Sequence, residues 1–168
     1  MDVKVAKTAG FCFGVKRAVE EVYKVAETTK GTVYTYGPII HNEEVVSDLE
    51  KKGVKVLETE EDLKNLTEGT VIIRSHGVPK YIYELLEERN ISYVDVTCPF
   101  VLKIHRIVEK ESAQGKHIVI VGDPNHPEVV GIKGWCQRKA TIIKTKEDAK
   151  SFLAESGEKL CIVSQTTF

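Results

Sequence analysis

Cys12 has the sequence environment of a reactive or metal-binding thiol. It lies in the stretch AGFCFGV, between an alternating apolar run at residues 3–6 that predicts a strand and a helical run, Lys16 to Glu27. Because a helix N-terminus carries partial positive charge, a cysteine at such a strand-to-helix turn favours the thiolate, which binds metal or attacks. A lone cysteine is more often a small buried hydrophobe, so the interpretation depends on its companions.

A second cysteine has the same surroundings later in the chain. Cys98 follows a predicted strand and precedes a predicted helix 86 residues after Cys12, and the loop around His41 recurs around His126 with an offset of 85. The segment from Thr59 to Lys64 also has a counterpart 86 residues later, from Thr145 to Lys150. Shared spacing in these separate segments predicts a tandem repeat of one β/α unit.

Both copies alternate predicted strands with predicted helices, which indicates an α/β fold with parallel sheets and right-handed crossovers. We assign the first unit to residues 1–97 and the second, truncated unit to residues 98–168. Two units leave a rotary arrangement unclosed, and the sequence stops directly after a predicted strand, at Phe168. We therefore expect a fragment of a longer protein, or one partner of an assembly, that a third unit completes.

Ligands of parallel sheets bind beyond the carboxyl ends of the strands. The residues of chemical interest all follow such predicted ends: Cys12, His41, His76, Cys98, His126, Glu128 and Thr167. If a rotation axis relates the units, the two cysteines approach each other near that axis and the histidines surround them. The sequence thus predicts one composite site.

Two kinds of chemistry suit these residues. Iron–sulfur clusters are normally held by three or four thiolates, so Cys12 and Cys98 need a third cysteine from the missing unit. Imidazole groups and helix N-termini donate hydrogen bonds to phosphate oxygens, so the three histidines predict a site for an anionic ligand. Glu128 is a candidate proton donor, and its structural alternative is to complement the helix dipole.

Composition narrows the class of protein. A net charge of −1 gives no general attraction to nucleic acid or to an anionic membrane. The chain has 42% hydrophobic and 29% charged residues, with no signal peptide and no apolar run of membrane-spanning length, so we expect a cytoplasmic protein. The absence of a C-x₂-C pair disfavours a zinc knuckle or a disulfide scaffold. The remaining histidines and cysteines are interpreted as structural: His105, His117, Cys136 and Cys161.

Six motifs occur in a fixed order along the chain: AGFCFGVKRAV, YGPIIHN, IIRSHGV, DVTCPFV, NHPEVVG and SQTT. Together they closely resemble the 4-hydroxy-3-methylbut-2-enyl diphosphate reductase family, which completes the methylerythritol phosphate route to isoprenoids. The resemblance runs from Val5 to Thr167. It implies three α/β units in a pseudo-threefold trefoil around an iron–sulfur cluster of the 4Fe-4S type, with one cysteine ligand from each unit. The family's third cysteine and its later diphosphate-binding segment have no counterpart in this sequence.

The resemblance also implies roles for individual residues. The implied ligands of the cluster are Cys12 and Cys98. The implied contacts to the substrate diphosphate are His41, His76 and His126. Proton transfer at the substrate hydroxyl is implied for Glu128 with Thr167. The implied reaction is reductive dehydroxylation to isopentenyl and dimethylallyl diphosphate, with electrons from ferredoxin or flavodoxin, and we expect this chain alone to be inactive.

Two other functions use the same residues. A metal-dependent phosphoesterase would use the histidines as metal ligands, although acidic metal-bridging residues are scarce at these turns. A non-redox module that binds a phosphorylated metabolite would use the same loops, and its affinity would not depend on the cysteines. Bound iron with acid-labile sulfide would distinguish the reductase from both.

Overall fold

The computed structural model describes residues 2–168 and confirms the predicted α/β fold with parallel sheets. The helices are α1 (Phe13–Thr28), α2 (Glu43–Lys51), α3 (Glu60–Asn65), α4 (Lys80–Glu88), α5 (Pro99–Ala113), α6 (Pro127–Gly134) and α7 (Lys146–Ser151). The strands are β1 (Val33–Tyr36), β2 (Lys55–Leu57), β3 (Thr70–Ile73), β4 (Ser92–Asp95), β5 (His117–Val121), β6 (Ala140–Ile143) and β7 (Leu160–Ser164).

The strands form two parallel sheets that share one connectivity. The first sheet has the order β2-β1-β3-β4 and the second has the order β6-β5-β7. In each sheet the first strand along the chain is flanked by the next two, since β1 pairs with β2 and β3, and β5 pairs with β6 and β7. This common order agrees with the sequence repeat, and the first sheet carries β4 as an additional edge strand. The unit boundary between residues 97 and 98 stays a prediction.

The short helices α3 and α7 begin with the same hydrogen bonds. The Thr59 hydroxyl accepts from the Asp62 N–H, and the Asp62 carboxylate accepts from the Thr59 N–H. Thr145 and Asp148 make the same two bonds at the start of α7. Such a capping box satisfies N–H groups that have no partner within the helix. The same capped helix therefore follows the corresponding strand in each sheet, β2 in the first and β6 in the second.

The first sheet is covered by helices on both faces. Ile72 of β3 packs in a core cluster with Ala18 and Val22 of α1, whereas Val71 and Ile73 pack in a second cluster that includes α4. Successive side chains of a strand point to opposite faces. A strand that is buried on both sides therefore reads as a continuous apolar run in the sequence.

The second sheet is covered fully on one face. Helices α5 and α6 pack against Ile118 and Ile120 of β5. On the other face, Ile162 of β7 is 65% exposed and Phe168 is 62% exposed. Apolar surface of this kind is typical of a face that packs against further structure. No helix in the described part of the chain is long and apolar enough to cross a membrane.

The predicted strand at residues 3–6 is wrong. These residues lie outside every strand, and Val3 and Val5 are 83% and 81% exposed. A strand requires a partner for its backbone hydrogen bonds, and β4, which precedes Cys98 in the corresponding place, obtains one by pairing with β3. Residues 3–6 have no such neighbour within residues 2–168. Cys12 is therefore preceded by an exposed segment that contains a turn and no strand.

Candidate functional site

Three histidines from different loops meet at the carboxyl ends of the two sheets. His41 follows β1, His76 follows β3, and His126 follows β5. Their ring centroids are 4.6 Å apart for His41 and His76, 5.7 Å for His41 and His126, and 5.3 Å for His76 and His126. One nitrogen from each ring lies within 4.8 Å of the other two. The structure thus places side chains from both repeats in one cluster.

Backbone hydrogen bonds connect the loops that carry these side chains. The Ser75 hydroxyl donates to the Ile39 carbonyl at 3.1 Å, which joins the turn before His76 to the loop before His41. The N–H of Cys98 donates to the Ser75 carbonyl at 2.9 Å. Cys98 is therefore held by the same turn that positions His76.

His126 belongs to the N-terminus of α6, where it is the N-cap residue. Its Nδ1 accepts a hydrogen bond from the Glu128 N–H at 3.2 Å. Because a neutral imidazole carries one proton, this bond places the proton on Nε2 and makes Nε2 a donor. The Trp135 indole at the end of α6 donates to the Val78 carbonyl at 2.9 Å, which anchors the helix to the turn after His76.

Two imidazoles of the histidine cluster, those of His76 and His126, are neutral at pH 7. Burial, together with the nearby His41, His126 and Arg74, lowers the pKa of His76 to about 4. Burial also lowers the pKa of His126, against a smaller opposing effect of Glu128. These two imidazoles can therefore each donate one N–H to an anion, but they do not supply positive charge.

Glu128 is a buried carboxylate that is bonded to Thr166. It is 1% exposed. Its Oε1 accepts from the Thr166 N–H at 2.7 Å, and its Oε2 accepts from the Thr166 hydroxyl at 2.8 Å. The pair joins the start of α6 to the segment after β7, directly beside His126.

The structure pairs Glu128 with Thr166 and not with Thr167, the threonine that the sequence analysis selected. Thr167 is exposed. Its backbone carbonyl accepts a hydrogen bond from the Gln165 side-chain amide at 3.4 Å. Thr166 and Thr167 lie in a turn after β7, and of the two only Thr166 donates hydrogen bonds to Glu128. Spacing from the preceding strand does not reveal which one.

Cys12 and Cys98 are each the N-cap of a long helix. Cys12 precedes α1 and Cys98 precedes α5, and neither side chain makes a capping hydrogen bond. Both thiols are free. The N-terminus of α1 lies against Cys98, because a β-carbon on Gly14 would stand 2.7 Å from the Cys98 sulfur. Arg17 of α1 donates to the Thr97 carbonyl at 3.1 Å and fastens the two segments together.

These two cysteines fit an iron–sulfur cluster as part of its ligand set. Their sulfurs are unpaired, and the Cys98 sulfur packs directly against α1 at Gly14, two residues after Cys12. Thiolates are the usual ligands of such clusters. The other two cysteines do not fit, since burial raises the pKa of the Cys136 thiol to about 11 and also raises that of Cys161. Both pack beside the core of the second sheet.

His105, which the sequence indicates only as a structural residue, packs against the turn that carries His76. It is 1% exposed and stacks on Trp135 with a centroid distance of 5.2 Å. A β-carbon on Gly77, the residue after His76, would stand 2.6 Å from the His105 ring. Neither ring nitrogen has a hydrogen-bond partner within the described residues. The turn that carries His76 therefore packs directly against the His105 imidazole.

The fold and the site define an α/β protein whose candidate site is built from loops at the carboxyl ends of two parallel sheets. The family model described as "LytB protein" matches residues 3–168. The chain belongs to the LytB protein family.

Named relatives and solved structures agree with this assignment. The chain is 52% identical to the 4-hydroxy-3-methylbut-2-enyl diphosphate reductase of Caldanaerobacter subterraneus subsp. tengcongensis, covering 99% of this chain and 58% of that protein. It is 43% identical to the reductase of the same name from Clostridioides difficile, covering 99% of this chain and 59% of that protein. The chain thus spans rather more than half the length of the curated relatives that it matches.

Two solved structures have the same fold. A structure of (E)-4-hydroxy-3-methyl-but-2-enyl diphosphate reductase, described as the terminal enzyme of the non-mevalonate pathway, matches with a TM-score of 0.82 and 41% identity. That match covers 99% of this chain and 58% of the other. The E-1-hydroxy-2-methyl-but-2-enyl-4-diphosphate reductase from Plasmodium falciparum matches with a TM-score of 0.89 and 30% identity, covering 96% of this chain and 50% of the other.

Proposed function

We propose that this chain is part of a 4-hydroxy-3-methylbut-2-enyl diphosphate reductase that acts in the cytoplasm in isoprenoid biosynthesis. The reaction takes up two electrons and two protons, releases the substrate hydroxyl as water, and yields isopentenyl or dimethylallyl diphosphate. The observation that carries the proposal is the convergence of His41, His76 and His126 in a chain 52% identical to a relative of that name.

The three histidines bind the diphosphate end of the substrate. Nε2 of His126 is a donor because Nδ1 is already an acceptor, and N–H groups of neutral imidazoles form hydrogen bonds to phosphate oxygens. His41 and His76 lie close enough to engage the same phosphate groups. Binding by converging donors fixes the orientation of the substrate and not only its affinity.

Glu128 and Thr166 supply protons near the substrate hydroxyl. The Thr166 hydroxyl donates to Glu128 in the absence of substrate, and its own oxygen remains free to accept a hydrogen bond. A carboxyl group that is buried and held by two hydrogen bonds is positioned to relay protons in general acid–base catalysis. Thr166 replaces Thr167 in this role, because Thr166 alone of the two contacts Glu128.

Cys12 and Cys98 provide two of the thiolates for an iron–sulfur cluster of the 4Fe-4S type. When bound, such a cluster supplies the electrons, which it receives one at a time from a ferredoxin or flavodoxin. The third thiolate comes from a further α/β unit beyond the two described here, and the 168-residue chain alone is inactive. Gly14 and Arg17 hold α1 against the Cys98 turn and so fix the spacing of the two sulfurs.

A second candidate function, a metal-dependent phosphoesterase, is favoured by one observation. Three histidine nitrogens within 4.8 Å of one another can hold a metal ion. The bond from the Glu128 N–H to Nδ1 of His126 opposes it, because that bond occupies one nitrogen and leaves the proton on the other. Metal binding through His126 would require the loss of this bond or a change of tautomer.

The test is a product analysis with 4-hydroxy-3-methylbut-2-enyl diphosphate. The complete protein is purified under anaerobic conditions and supplied with a chemical reductant and a mediator dye. We expect isopentenyl and dimethylallyl diphosphate and no release of inorganic phosphate. Phosphate release that depends on added zinc or manganese, with no reduced product, would instead support the phosphoesterase.

A further inference from the structure

Arg74 is a half-buried cation without a counterion in the described part of the chain. It directly follows β3 and stands two residues before His76 in the chain. Its Nε is buried and has no hydrogen-bond partner, and Arg74 forms no ion pair within residues 2–168. Burial lowers its pKa from the usual value, while Tyr36 and Glu58 oppose this effect from a distance. An arginine in such a position still remains charged at pH 7.

The guanidinium lies between two of the loops that form the histidine cluster. It packs so closely on Gly37 that a β-carbon there would collide with Nη1, and Gly37 has a φ of +70° that favours glycine. Gly37 opens the loop that leads to His41. The charge of Arg74 also lowers the pKa of His76 and of His126, so it lies within electrostatic range of both rings.

A partly buried charge without a partner destabilises a folded protein, because part of its hydration is lost and nothing replaces it. Proteins retain such groups where a ligand completes the environment. The two half-buried imidazoles of the cluster are neutral at pH 7 and contribute N–H donors without charge. An anion with several negative charges therefore finds donors in the histidines but needs a cation from another residue.

We infer that Arg74 supplies the fixed positive charge of the anion site, beside the loops that carry the imidazoles, and balances part of the charge of a bound diphosphate. This inference rests on the proposed function, since it takes the histidine cluster to be the diphosphate site. In this arrangement the histidines orient the diphosphate through hydrogen bonds. Arg74 attracts it electrostatically, and this attraction does not depend on imidazole protonation. Because Arg74 is half-buried, salt screens this attraction less than it screens that of a fully exposed charge.

The inference predicts opposite effects on binding and on stability. Arg74→Gln removes the charge and keeps a polar side chain, Arg74→Lys keeps the charge, and Arg89→Gln is the matched control. Arg89 is an exposed arginine at the end of α4 that donates to the Leu66 carbonyl, and it takes no part in the histidine cluster. Binding of inorganic diphosphate to the chain is measured by calorimetry, and unfolding by denaturant titration without diphosphate.

We expect Arg74→Gln to weaken diphosphate binding by about tenfold or more and to leave the resistance to denaturant equal or higher. Arg74→Lys should retain most of the affinity. Arg89→Gln should leave the affinity unchanged and lower the resistance to denaturant. A role in packing alone would lower stability in Arg74→Gln, and the affinity would not follow the charge of the side chain.

Two results would overturn the inference in distinguishable ways. Wild-type affinity in Arg74→Gln, or equal losses in Arg74→Gln and Arg74→Lys, would remove Arg74 from the anion site and leave the histidine site standing. A wild-type chain that does not bind inorganic diphosphate at all would remove the histidine site and the role of Arg74 together.

Discussion

Gly14 and Cys98 lie in direct contact although they are far apart in the sequence. A β-carbon on Gly14 would stand 2.7 Å from the Cys98 sulfur and 3.3 Å from the Cys98 β-carbon. Gly14 is buried and lies two residues after Cys12, in the first turn of α1. The contact therefore brings the N-terminus of the helix that Cys12 caps against the second cysteine, and it leaves no room for a side chain at Gly14.

Gly14→Ala should impair the cysteine site. The added methyl must displace the Cys98 sulfur or α1, and such overpacking costs about 1–3 kcal/mol. We expect the free energy of unfolding and the iron retained by the complete protein both to fall. Gly131→Ala is the matched control, because Gly131 also lies in a helix and its β-carbon would meet neighbours at ordinary contact distances of 3.5 Å or more. Normal iron content in Gly14→Ala would show that this contact does not matter to the site.

Replacing any one of the clustered histidines should weaken diphosphate binding. The variants are His41→Ala, His76→Ala and His126→Ala, and each loses a hydrogen bond to a charged group, worth about 1.5–3 kcal/mol. His117→Ala is the control: its ring bonds Glu158 and Thr141, each at 2.8 Å, at the opposite end of the second sheet. Calorimetry with inorganic diphosphate measures the change. A loss of equal size in the control would mean that the anion binds elsewhere.

Glu128 and Thr166 should affect turnover more than binding. Glu128→Gln preserves the shape of the side chain and its hydrogen bond from the Thr166 N–H, but it removes the exchangeable acid proton. We expect kcat of the complete enzyme to fall by about a hundredfold or more, with little change in KM. Thr166→Val should also lower kcat, whereas Thr167→Val should not. A large effect confined to Thr167 would restore the assignment made from the sequence.

His105 should make the fold sensitive to acid. Burial lowers its pKa from 6.5 to about 4, so between these pH values the unfolded chain binds a proton that the folded chain does not. The neutral His105 therefore makes its full contribution to the free energy of unfolding above pH 6.5. This contribution decreases as the pH falls toward 4, by about 3 kcal/mol in total. His105→Leu removes the titrating group without breaking a hydrogen bond, since both ring nitrogens are unpartnered. Denaturant titrations from pH 4 to 8 should show a shallower pH dependence in this variant, and an unchanged slope would refute the assignment.

Much of the fold could be predicted from the sequence because its signals are local. The continuous apolar run of β3 and the repeated capping boxes at Thr59 and Thr145 predict elements that the structure contains. The segment at residues 3–6 carries the same alternation as a strand, yet it remains unpaired within the described residues. The alternation of apolar and polar residues indicates that the segment favours a strand. Whether the strand forms depends on a neighbouring strand, which the pattern does not specify.

The site was predictable in outline and not in its details. Loops after parallel strands identify His41, His76 and His126, because all such loops meet at one edge of a sheet. The choice between Thr166 and Thr167 depends on the direction of one side chain, which spacing leaves open. The partial burial of Arg74 without a counterion is a property of the packed structure, although a charged residue directly after a buried strand is a signal that could have indicated it.

The iron and acid-labile sulfide content of the complete protein, purified without oxygen, tests the central claim most directly. The claim is that Cys12 and Cys98 hold an iron–sulfur cluster beside the histidine cluster. We predict that the wild-type protein contains both elements, that Cys12→Ser and Cys98→Ser abolish them, and that Cys136→Ser and Cys161→Ser retain them with a loss of packing stability alone. Iron that survives Cys98→Ser but is lost in Cys136→Ser would contradict the account.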